Sequence, residues 1–154
     1  MKKLSAESKL QRLLRIFERT GDRGAYTRPF AELPADVQIR LMEQVMVRSD
    51  ELPVIACFRE PTEWVLLTTE RVVIRQGQEV VTLPWGELKD ATADIAYVNR
   101  MLAMGPTGKL AMSRLTLVRH TGEALEVELE VGPSFFGFWN VLKSIAASSA
   151  LETK

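Results

Sequence analysis

The stretch Trp64-Val65-Leu66-Leu67-Thr68-Thr69-Glu70-Arg71-Val72-Val73-Ile74 reads as two apolar strands folded back on each other at Thr69-Glu70. Branched and aromatic side chains suit a pleated, half-buried backbone, and the polar break is short enough for a hairpin. Working outward, residues 54–58 form an earlier apolar strand closed by Glu60-Pro61-Thr62, and Gly77-Gln78 turns the chain into another at residues 79–83. Antiparallel strands in meander order are predicted, since consecutive strands usually pair.

Beyond residue 90 the same reading predicts strands at residues 94–104 and 110–120, joined by a hairpin turn at Gly105-Pro106-Thr107-Gly108. Thr121-Gly122-Glu123 turns the chain again. After it, Leu125, Val127, Leu129 and Val131 alternate with Glu126, Glu128 and Glu130, which predicts one strand with an apolar inner face and an acidic outer face. Gly132-Pro133-Ser134 then opens a last helix running to about residue 151, with Phe135, Phe138, Trp139, Leu142 and Ile145 on a wide apolar face.

The first fifty residues carry the helical period instead. Leu10, Leu13, Leu14 and Phe17 fall on one face of a helix that Ser5 caps and that stops by Gly21 and Gly24. Pro34 and Asp36 mark the first turn of a second helix bearing Val37, Leu41 and Val45, with Met42 and Met46 beside them. Pro53 marks the change to strand. The expected fold is α+β: two helices over residues 1–50, then about seven short antiparallel strands and a covering helix over residues 51–154, all in one compact unit. Exposed strand edges are costly, so the strands are expected to bend strongly and close, with the aromatic helix over one end.

Two segments resemble bacterial pleckstrin-homology-like and GRAM-type domains. Residues 64–74 are similar to a hairpin in which an apolar strand meets Thr-x-x-Arg and an aliphatic strand follows. Leu83-Pro84-Trp85-Gly86-Glu87-Leu88 resembles the next signature, an aliphatic-Pro-aromatic step followed by an acidic and an aliphatic residue. With the final helix, the resemblance covers residues 51–150. It implies a seven-stranded bent barrel capped by a C-terminal helix, a scaffold that binds lipids, peptides or proteins and rarely performs chemistry.

Composition narrows the function. Twenty basic residues balance twenty acidic ones, so no global charge draws the molecule to nucleic acid, and no basic strip with interleaved aromatics appears. One cysteine, Cys57, cannot form an internal disulfide. The Met1-Lys2-Lys3-Leu4-Ser5 start lacks the apolar run of a signal peptide, and no stretch is long enough to span a bilayer, so the cytoplasm is expected.

His120 is the lone histidine and lies beside a turn, where a solvated side chain is the simplest reading. Gly105-Pro106-Thr107-Gly108-Lys109 lacks the spacing of a phosphate loop and the strand–helix context one needs. The Glu126, Glu128 and Glu130 series is explained as a solvent face. Neither an enzyme, a cofactor nor a metal is expected.

Two surfaces are candidates for binding. Met101-Leu102-Ala103-Met104 and Leu110-Ala111-Met112 are apolar on both expected strand faces, so one face needs a cover. Met101, Leu102, Met104 and Met112 are therefore the expected contacts for a protein partner, with the N-terminal helices or a second copy of the chain as alternative covers. The first helix carries Arg12, Arg15 and Arg19 opposite its apolar face, the pattern of a helix lying on anionic lipid. A phosphate-binding mouth at Arg59, Arg71 and Arg75 is disfavoured by the interleaved Glu60, Glu63 and Glu70. The resulting expectation is a non-enzymatic protein-binding module, such as a small inhibitor, immunity-type or adaptor protein, with peripheral membrane binding as the alternative.

Overall fold

The computed structural model describes residues 5–152; residues 1–4, on which the reading of the chain start rests, lie outside the described residues. Helix α1 (Ala6–Thr20) starts where expected, the Ser5 hydroxyl accepting the Ser8 N–H at 3.1 Å. A three-residue strand β1 (Thr27–Pro29) and a single 3-10 turn (Phe30–Glu32) lead to α2 (Ala35–Val45). Strand β1 was not anticipated, because three residues hold too little pattern to show a period. The next four strands are β2 (Pro53–Glu60), β3 (Glu63–Thr68), β4 (Arg71–Gln76) and β5 (Glu79–Pro84). With β1 they form an antiparallel sheet of order β1-β2-β3-β4-β5.

A second antiparallel sheet contains β6 (Leu88–Thr92), β7 (Arg114–Arg119) and β8 (Ala124–Glu128), in that order. The C-terminal helix α5 (Pro133–Glu152) follows. Eight strands are thus divided between two open sheets of five and three, and backbone hydrogen bonds do not close them into one barrel.

Both faces of the first sheet are buried, which explains its unbroken apolar runs. Val65, Leu67, Val72 and Ile74 point into the main core, with the second sheet, α1 and α5. Their neighbours Leu66, Val73 and Trp64 point the other way, against Leu33, Leu41 and Val45 of the α2 region. Helix α2 is therefore a second layer on the outer face of the sheet, and the residues before Pro53 are built into both cores.

Residues 94–104 are helical, not extended: α3 spans Ile95–Ala103 and a short α4 spans Pro106–Leu110. Asp94 caps α3 by accepting the Tyr97 N–H at 3.0 Å, and Pro106 stands at the start of α4, where its missing N–H costs nothing. Gly105, at φ 79°, links the two helices instead of closing a hairpin. Of the strand expected at residues 110–120, only Arg114–Arg119 is extended.

The acidic face also ends early. Strand β8 stops at Glu128, after which the chain turns; Glu130 is buried and Val131 exposed, the reverse of the expected alternation. The Glu130 carboxylate accepts the backbone N–H groups of Ala25 and Tyr26 and so fastens the segment between α1 and β1 to the core. A Cβ on Gly24 would stand 2.3 Å from that carboxylate.

Candidate functional site

The α3–α4 insertion is locked on one side and bare on the other. Tyr97 is buried, its hydroxyl accepting the Ser113 N–H at 2.9 Å, while the Arg114 guanidinium sits 4.9 Å from its ring centre. Met101 and Val98 pack beside it against the main core. Met112 is buried at 3% exposure. A Cβ on Gly108 would lie 1.8 Å from the Met101 carbonyl oxygen, so the α4 backbone rests directly on the end of α3. Lys109 crosses to α5, with Nζ 5.5 Å from the Phe136 ring centre.

The outward side is apolar. Ile95 is 76% exposed, Leu102 52%, Met104 64% and Leu110 50%, half of the eight strongly exposed large apolar residues among those described. Such residues scattered singly need no explanation, but four within sixteen positions form a patch. Ile95 and Leu102 are two helical turns apart and share one side of α3. Of the four expected contacts, the structure therefore places Leu102 and Met104 at the surface, Met101 at its margin and Met112 in the core. Ile95 was missed because a strand reading gives it no common side with Leu102. A helical period from Asp94, with Ile95 and Leu102 seven apart, was the available signal.

Arg12, Arg15 and Arg19 are exposed along α1, and none has an ion-pair partner among the described residues. The apolar side of the same helix is not free: Leu13 and Phe17 are buried in the main core and Leu10, Leu14 and Ile16 pack against it.

Two titratable groups elsewhere, Glu51 and Cys57, are buried. Buried Glu51 takes Arg71 Nε at 2.8 Å and the Thr68 hydroxyl, and Arg71 also reaches the Val45 and Met46 carbonyls at the end of α2. Thr68 and Arg71 are the two fixed positions of the Thr-x-x-Arg segment, and here they pin α2 to the sheet. Burial alone would raise the Glu51 pKa, but the hydrogen bonds from Arg71, Thr68 and the Arg48 N–H outweigh it and hold the carboxyl below its ordinary value. Burial pushes the Cys57 thiol up, keeping it protonated.

Between the sheets, Arg59, Glu63, Arg75 and Glu128 line a cavity of about 20 Å³, room for roughly one water. Arg59 there donates to the Leu129 carbonyl at 2.8 Å, and Arg75 to the Gly77 carbonyl at 3.0 Å and to the Gln44 amide. His120 is exposed beside its turn, its backbone N–H bonded to the Glu87 carbonyl at 3.0 Å. No three His, Cys, Asp or Glu residues among those described are grouped to hold a metal, and no described helix is long and apolar enough to cross a membrane.

Comparison of the chain with family models, with curated proteins and with solved structures finds no match in any of the three.

Proposed function

We propose that this chain is a non-enzymatic protein-binding module of pleckstrin-homology-like design whose contact surface is the outward face of α3–α4. The observation that carries the reading is the patch of Ile95, Leu102, Met104 and Leu110, half or more exposed, on an insertion whose opposite side is anchored by Tyr97, Met101 and Met112. Flexible thioethers and aliphatic side chains adapt to a partner surface, and an anchored base presents them at little entropic cost. The architectural part draws support from strand order: without β1, a four-stranded meander, a three-stranded sheet and a final helix follow one another, with the unanticipated β6 in place of the strand expected at residues 94–104. A small inhibitor, immunity-type or adaptor protein suits such a surface.

Membrane association through Arg12, Arg15 and Arg19 has less support. Those cations are available to lipid, but the apolar residues that would enter a bilayer are already in the core. Tagged full-length protein captures its partner from a lysate of its own source in this reading. Met104→Glu and Leu102→Glu abolish the capture without unfolding the domain, while reversing Arg12, Arg15 and Arg19 together leaves it intact. Retention by the two glutamate variants, or loss only in the arginine variant, contradicts the assignment.

A further inference from the structure

Resting on the docking role of α3–α4, we infer that the partner presents an acidic amphipathic helix to this face. The first argument is shape. At about 100° per residue, the exposed arc of α3 contains Ile95, Ala96, Asn99, Leu102 and Ala103, with Arg100 at its border. Ala96 and Ala103 flank the side that carries Ile95 and Leu102 and are small enough for another helix backbone to come close beside it.

The second argument is charge. The chain is balanced overall, yet residues 94–122 contain Arg100, Lys109, Arg114 and Arg119 and a single carboxylate, Asp94, which caps the start of α3. Two of these cations are neutralised from elsewhere: Arg114 lies 3.6 Å from Glu128, and Arg119 lies 2.7 Å from Glu87 and 3.6 Å from Glu123. Arg100 and Lys109 have no carboxylate partner among the described residues, and both are exposed beside the apolar patch. A complementary surface must therefore place carboxylates next to its apolar residues.

The same charge argument disfavours two other occupants. A second copy docking face to face would bring together two faces of the same net sign, each with Arg100 and Lys109 against the single carboxylate of Asp94. Anionic bilayers hold clusters of roughly four to eight cations, and the insertion offers two.

The test uses the full chain and three synthetic helical peptides with one common apolar face and a polar face of glutamate, glutamine or lysine. Fluorescence anisotropy should show the glutamate peptide binding tightest and weakening as salt rises. Arg100→Glu with Lys109→Glu should weaken it about tenfold or more, and Leu102→Glu should abolish binding of every peptide. Equal binding of all three peptides, lost in Leu102→Glu, overturns the acidic partner but leaves helix docking at this face standing. Failure of all three peptides overturns the inference. Sedimentation with phosphatidylserine–phosphatidylcholine vesicles would then reassign the patch to lipid, and a dimer abolished by Leu102→Glu would reassign it to self-association.

Discussion

Glu51 shows how much a single buried carboxylate can hold in place. It gathers Thr68 and Arg71 from the β3–β4 hairpin, and Arg71 in turn takes the carbonyls that end α2. Removing one partner of such a pair leaves the other unsatisfied, so Glu51→Ala should cost about 3 kcal/mol in urea unfolding. The folded carboxyl titrates below the unfolded one, so its contribution is complete above the ordinary carboxylate value of about 4.3 and disappears as pH falls through the folded value. Wild type should lose its stability advantage over Glu51→Gln across that acid range. A gap that stays constant down to acid pH would show that this ion pair is not what stabilises the hairpin.

Cys57 offers a second check at this scale. Iodoacetamide should leave its buried, protonated thiol untouched in the native protein and modify it after denaturation. The Thr68–Arg71 segment was visible in the sequence, but Glu51 was not, because its partners come from another element. Glu130 was misread for a related reason. Alternation describes a strand only while the strand lasts, and β8 ends two residues earlier.

Among the elements, α1 and α5 meet at two glycines. A Cβ on Gly137 would lie 2.9 Å from Gly21 Cα and 3.0 Å from the Phe17 ring, and one on Gly21 would lie 2.6 Å from Gly137 Cα. Gly137→Ala would favour an isolated helix by about 1 kcal/mol. Here it should destabilise the protein by about 1–3 kcal/mol, because backbone must move apart. Thermal unfolding decides the sign, and a stabilised variant would mean that the crossing is loose.

Long elements with a strong period were legible. Helices α1, α2 and α5 and the hairpins from β2 to β5 follow from spacing, caps and turn residues. Helices α3 and α4 were not, because Tyr97, Val98 and Met101 are spaced for a helix yet the flanking Gly105-Pro106 suggested a hairpin. What separates the alternatives is the Asp94 cap, a local hydrogen bond instead of a pattern.

For the molecule as a whole, α1 and α2 are not appendages: each supplies part of a core, one on either side of the first sheet. That arrangement consumes the apolar faces of both helices and leaves α3–α4 as the densest bare apolar surface among the described residues. The sequence indicated this region through its methionines and leucines. Which of them face outward depends on a helical period and on Met112 turning into the core.

The direct test of a docking role is a photo-reactive side chain placed at position 102, and in a separate variant at position 12, of the full-length protein in its own cells. Irradiation should join position 102 to one other protein in good yield and leave position 12 without a protein adduct. A lipid adduct at position 12 with nothing at position 102 would contradict the account and transfer function to the arginines of α1.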